Sequence, residues 1–169
     1  TNNIGLINGY PSVIDVPSFV DFMLVNELAS NADGYQYSTY FHKDRAGKLR
    51  AGPIWDFNLT YGNDLFLWGF DRSHYDVWQF SDGGNDGPKF WTDLYNNPIY
   101  KCYLSRRFND LIQEGKPMNY NGLNTFIDIT IATIAEASAR EQQKWGTIPD
   151  LNLEVTNLKS WLSKRISWM

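Results

Sequence analysis

Asp33 and Asp56 are the residues of this chain whose type and spacing best suit chemistry. Each stands in a short polar loop. Asn31-Ala-Asp-Gly34 follows a long apolar run, and Asp56-Phe-Asn58 follows the second half of a segment that reads as a β-hairpin. Antiparallel strands start and finish at one end, so the loop entering a hairpin and the loop leaving it meet there. Two carboxylates converging without a basic neighbour in sequence suit a divalent cation such as Mg²⁺, which takes oxygen ligands. Asn58 offers a further carbonyl oxygen from the second loop, and Asn31 offers one from the first.

The elements that must position these groups are legible around them. Asp15-Val-Pro17-Ser opens a helix, with Pro17 in the first turn where its missing N–H costs nothing. The run from Phe19 to Ala29 is apolar almost all round, the pattern of a central, buried helix. It ends at Ser30-Asn-Ala-Asp-Gly34, a cluster of turn-forming residues. Tyr35, Tyr37, Thr39 and Phe41 then alternate with polar neighbours and predict a first strand. Asp44-Arg-Ala-Gly47 predicts the turn, and Lys48 to Trp55 the returning strand. Residues 62–88 are rich in Gly, Asp and Asn and read as a long irregular segment, of the kind that is usually functional or mobile. Trp68, Phe70, Tyr75, Trp78 and Phe80 are expected to pin it to the body. Helices are predicted over Lys89–Tyr95, Pro98–Glu114, from a cap at Asn121 or Asn124 to Trp145, and through Val155, Leu158, Leu162 and Ile166. The fold class expected is α+β, mainly helical, in a single domain.

Composition narrows the function. The chain has 169 residues, 43% hydrophobic and 20% charged, which is a folded globular composition. Its net charge is −4 with no basic run, so no electrostatic footprint for nucleic acid is present. No apolar stretch reaches the roughly 18–20 residues needed to cross a bilayer. Cys102 stands alone, which rules out an intrachain disulfide, and it reads as a buried, inert thiol on a helix. Aromatic residues make up 16% of the chain and serve a core, a binding surface, or both.

Buried helix, acidic loop, hairpin and acidic loop is also the order of parts in protein kinases, where Asp-Phe-Gly ends the hairpin. Here Asp56-Phe-Asn58 stands at that place. The kinase pattern H-R-D-x-x-x-x-N would put His-Arg where this chain has Asn31-Ala32, and Asn where it has Ser38. Longer text carries a closer resemblance. The stretch Phe19-Val-Asp-Phe-Met-Leu-Val-Asn-Glu-Leu-Ala-Ser-Asn-Ala-Asp-Gly-Tyr35 is one part of it. Ser38-Thr-Tyr40, Lys43-Asp-Arg45 and Gly47-Lys-Leu-Arg-Ala-Gly-Pro-Ile-Trp-Asp-Phe-Asn58 are others. Together they closely resemble the central block of the CotH (spore-coat protein H) kinase-like family. Asn97-Pro-Ile-Tyr100, Arg106-Arg107 and the segment from Leu158 to Arg165 look like that family's C-terminal helices.

The resemblance implies the C-lobe of an atypical, kinase-like fold, with the hairpin between the two acidic loops. It implies ATP and Mg²⁺ as ligands and phosphorylation of Ser on secreted, cell-envelope or spore-surface proteins of bacteria. By position, Asp33 matches the family's catalytic-loop acid and Asp56 its metal-binding acid. Asn58 also matches by position, as a metal ligand, and Asn31 and Asn58, the amides of the two loops, are the expected cofactor-binding residues. No Gly-rich phosphate loop, ATP-binding Lys or partner Glu stands ahead of Ile14. The nucleotide-covering N-lobe is therefore expected upstream, outside residues 1–169, or is lacking in this member, leaving this chain as the catalytic-loop-bearing part and inactive by itself. A non-catalytic adhesion or binding domain of the same fold is the alternative. Glycoside hydrolysis by paired carboxylates fits the aromatics but has no family support.

Plainer roles stand beside these. Asp33-Gly34 is ordinary turn chemistry, and Asp56 could cap a strand end. Glu27, on an apolar helix, is expected to pair with an internal Arg. His42 and His74 lack metal-ligand spacing.

Overall fold

A computed structural model describes residues 4–63, 71, 73–148 and 150–169. Short helix α1 (Tyr10–Val13) leads into α2 (Val16–Ala29), followed by strands β1 (Thr39–His42) and β2 (Arg50–Ile54). A 3₁₀ turn at Gln79–Ser81 precedes α3 (Phe90–Asn96), α4 (Pro98–Leu111), α5 (Tyr120–Trp145) and α6 (Leu151–Trp168). The described chain is thus mainly helical, with one two-stranded antiparallel sheet, as the sequence predicts.

Helix α2 is the spine. The Asp15 carboxylate accepts from the Ser18 N–H and caps its first turn, and it also takes Arg50 Nη1 at 3.1 Å from β2. That ties the start of the helix to the returning strand. Nine of its fourteen residues are buried, on every side, as an all-round apolar run requires. Its C-cap, Ser30, takes a left-handed conformation and turns the chain into the first acidic loop.

Trp91 of α3 is fully buried and gathers the aromatic core. Its ring lies 5.4 Å from Phe22, 5.1 Å from Tyr35, 5.3 Å from Phe19 and 6.2 Å from Phe41. Offset and edge-on pairs at these separations add stabilisation beyond their buried area. Helix, hairpin and α3 therefore meet on one set of rings.

Several expectations need correcting. Strand β1 begins at Thr39, not Tyr35, because residues 35–38 belong to a turn closed on Asp33. Tyr35 is buried with φ +71°, and Tyr37 is 73% exposed, so their alternation does not mark two faces of one strand. β2 spans only Arg50–Ile54, and a bulge interrupts the register between Thr39 and Phe41. Cys102 is exposed. Helix α4 buries Tyr100, Leu104, Phe108 and Leu111, and Cys102 lies about 200° around the helix from Tyr100, on the outer face. Asn119, not Asn121 or Asn124, caps α5, accepting from the Gly122 N–H. Trp78 and Phe80 do pin the irregular segment, Trp78 lying 4.7 Å from Trp168 and 5.3 Å from Tyr95. Trp68 and Phe70 lie outside the described residues.

Candidate active site

The two acidic loops are laced together by their backbones. The Ala32 N–H donates to Leu59 O at 3.3 Å, and the Tyr61 N–H donates to Ala29 O at 2.6 Å. The segment following Asp56 thus runs beside the segment leading to Asp33, which is the meeting that hairpin topology requires.

Asp33 is held by a chain of buried amides that starts in α2. Asn26 Nδ2 donates to Phe22 O one helical turn back, and its Oδ1 accepts from Asn31 Nδ2 at 3.0 Å. Asn31 Oδ1 in turn accepts the Asp33 N–H at 3.3 Å. The Asp33 carbonyl then accepts from both Tyr37 N and Ser38 N, closing the turn. Gly34 is required inside it, since a Cβ there would lie 2.7 Å from Asn26 Oδ1. Asn31 is fully buried, and its amide is spent on this ladder. Its observed work is to shape the loop, and the ligand contact expected of it would need the amide to leave both bonds.

Asp56 is exposed and sits at φ +61°. A left-handed conformation costs an L-residue roughly 1–2 kcal/mol, least for Asp and Asn. The four non-glycine residues described with positive φ are Ser30, Tyr35, Asp56 and Tyr61. All four lie in or beside the two acidic loops, and such strain concentrates where backbone direction serves a site. The Asp56 carboxylate accepts from Ser38 Oγ at 3.5 Å. Asn58 is also exposed. It lines an open groove of about 550 Å³ with Thr60, Asn63, Glu154 and Trp161.

Behind the loops lies a buried ion pair. Glu27 and Arg165 are both fully buried, and their Oε2 and Nη2 atoms are 2.9 Å apart. The Glu27 carboxylate also accepts from Tyr35 OH at 2.8 Å, Gln79 N at 3.0 Å and Phe80 N at 3.2 Å. Arg165 further donates to the carbonyls of Glu27, Tyr75 and Val77. Burial pushes the Glu27 carboxyl above its ordinary range, while Arg165 and the three other donors pull it back. With every contact a donor, the carboxylate is the form this cage fits. Glu27 therefore has the internal Arg partner expected of it.

Asp56 and Ser38 bring two hard oxygen donors of the kind Mg²⁺ takes near one another, while Asn58 lines the open groove. Among the described residues no group of three or more His, Cys, Asp or Glu side chains could hold a metal. The set is therefore not an all-protein cage, and it fits the usual Mg²⁺ arrangement of one or two carboxylates completed by water and phosphate. Sequence reasoning missed Asn26 and Ser38. The signal for Ser38 was its position five residues after Asp33, and Asn26 carries none beyond being polar on a buried helix.

The CotH kinase protein family model matches residues 5–169, and the chain belongs to that family. No curated protein and no solved structure matches the chain. Among the described residues no helix is long and apolar enough to cross a membrane.

Proposed function

As a member of the CotH kinase protein family, we propose, this chain carries the catalytic floor of an ATP- and Mg²⁺-dependent phosphotransferase acting on serine hydroxyls. The acceptors would be secreted, cell-envelope or spore-surface proteins. The observation that supports it most directly is the backbone lacing of the two acidic loops, because phosphoryl transfer needs an acceptor-orienting carboxylate beside a metal-holding one. Asp33 accepts the proton of the substrate hydroxyl or orients it, from a loop immobilised by Asn26 and Asn31. Asp56 holds the cation, with Asn58 beside it. Mg²⁺, when bound, would neutralise charge on the transferred phosphoryl group.

The test is transfer of labelled phosphate from ATP to a Ser-rich peptide by the natural protein containing this chain. Asp33→Asn and Asp56→Asn are each expected to lower transfer by at least about 10²-fold with circular dichroism unchanged, the scale on which general acid–base groups act. Transfer at the wild-type rate by Asp56→Asn would overturn the assignment.

A second reading, a binding domain without catalysis, draws on the exposed side chains of the hairpin region. Tyr37 is 73% exposed and Trp55 60%. Surface binding retained by a wild-type protein that transfers no phosphate would favour it.

A further inference from the structure

Ser38 is joined to both acids at once: its N–H donates to Asp33 O at 3.2 Å and its hydroxyl to Asp56 Oδ2 at 3.5 Å. We propose that the Ser38 hydroxyl is a ligand of the divalent cation together with Asp56, a neutral oxygen in place of the amide that the D-x-x-x-x-N pattern supplies; this rests on the phosphotransferase reading.

Mg²⁺ binds oxygens at 2.0–2.1 Å in an octahedron, so two adjacent ligands lie about 3 Å apart. Ser38 Oγ and Asp56 Oδ2 are within about half an ångström of that edge, a shift that one side-chain torsion supplies. A hydroxyl has two lone pairs, so it coordinates a cation while its proton turns outward. A Ser or Thr hydroxyl is a recurrent Mg²⁺ ligand beside phosphates. The backbone holds it ready. Ser38 is fixed to the first acidic loop through Asp33 O and is followed at once by Thr39, which pairs with Ile54 two residues before Asp56. The 3.5 Å separation is long for a hydroxyl–carboxylate bond, whose ordinary length is about 2.5–2.7 Å. The pair is therefore a loose contact, which a shared cation would tighten to the edge of its octahedron.

Serine also shortens the reach. An Asn at this position would extend its carbonyl oxygen two bonds beyond the backbone-proximal carbon, where the serine hydroxyl extends one. The cation is therefore drawn toward the turn at Asp33 and the hairpin end.

The probe is Mn²⁺ alone, followed by electron paramagnetic resonance of the free ion as the purified 169-residue chain is titrated. Mg²⁺ competition is then measured in the same samples. Ser38→Ala is expected to weaken Mn²⁺ binding by about 10-fold, the low end of what loss of a supporting group costs a metal site. Ser38→Asn, which restores an oxygen, should return to within about threefold of wild type. Asp56→Asn should lose more than Ser38→Ala. Ser38→Ala binding like wild type while Asp56→Asn fails would overturn the Ser38 ligand and leave the Asp56 site standing. Equal binding by Asp56→Asn and wild type, or no binding by wild type, would overturn the metal site itself and this inference with it. Unchanged circular dichroism keeps each comparison valid.

Discussion

Replacing Arg165 by Met removes the cation from a cage that no water reaches. The substitution keeps most of the side-chain volume, so the loss is chiefly electrostatic. It deletes the 2.9 Å contact to Glu27 Oε2 and leaves a fully buried carboxylate facing Tyr35 OH and two backbone N–H groups. It also strips the Arg165 donor from Tyr75 O and Val77 O, while Glu27 O keeps the Ser30 N–H. Breaking one side of a buried pair costs about 3–5 kcal/mol, and the two stripped carbonyls place this site toward the upper half of that range. A domain of this size is stable by about 5–15 kcal/mol and loses roughly 2–4 °C of melting temperature per kcal/mol. A fall of about 8–20 °C is therefore expected in a thermal melt, with faster hydrogen exchange at the Gln79 and Phe80 amides. The pH dependence has a defined sign. Burial already raises the Glu27 carboxyl, and losing Arg165 raises it further, so the folded variant holds a proton that its unfolded chain releases. The destabilisation is then smallest below the unfolded carboxylate range, near pH 4, and grows as pH rises through the folded value. The double variant Glu27→Met with Arg165→Met should recover part of the loss. A cost under about 1 kcal/mol for Arg165→Met, or a double variant equal to the sum of its singles, would refute the reasoning.

Burial also pushes the Tyr35 and Tyr100 hydroxyls well above the ordinary phenol range. A raised folded value means their contribution is intact below about pH 10 and is lost as pH climbs above it, so absorbance at 295 nm should show both ionising only as the chain unfolds. Among the described residues Tyr100 OH has no hydrogen-bond partner, so Tyr100→Phe should leave stability unchanged or raise it by about 1 kcal/mol; a loss larger than that would reveal a hidden partner. Cys102, exposed on α4, should react with a thiol reagent in the native chain nearly as fast as after denaturation, and strong protection would contradict its placement.

Helix α2, the existence of the hairpin and the meeting of its flanking loops were all legible in the chain, because each depends on local pattern. An apolar run bounded by Asp15, Pro17 and Ser30 can only be a buried helix, and antiparallel strands bring their outer ends together whatever surrounds them. The family text from Phe19 to Asn58 was likewise a property of residue order, and a family model spanning residues 5–169 bears it out. Less was legible where one side chain chooses among neighbours distant in sequence. That Glu27 wants a cation follows from a charge on an apolar helix, but the selection of Arg165 follows from α6 crossing behind the irregular segment at Tyr75 and Val77.

The strand limits failed for a related reason. Tyr35 and Tyr37 carry strand-like residue types, yet the carbonyl of Asp33 captures the N–H groups of Tyr37 and Ser38, and a captured N–H cannot join a sheet. Cys102 was misplaced because composition reports how often a thiol is buried, whereas its exposure is set by the angle between it and Tyr100 on a helix whose inner face only packing selects. Residue types, periodicity and order thus determined the parts and the two acids. Only the tertiary structure decided which groups hold those acids in place. Asn26, Asn31 and Ser38 act through hydrogen bonds a few ångströms long, and bonds of that length depend on loop geometry that no spacing in the sequence encodes.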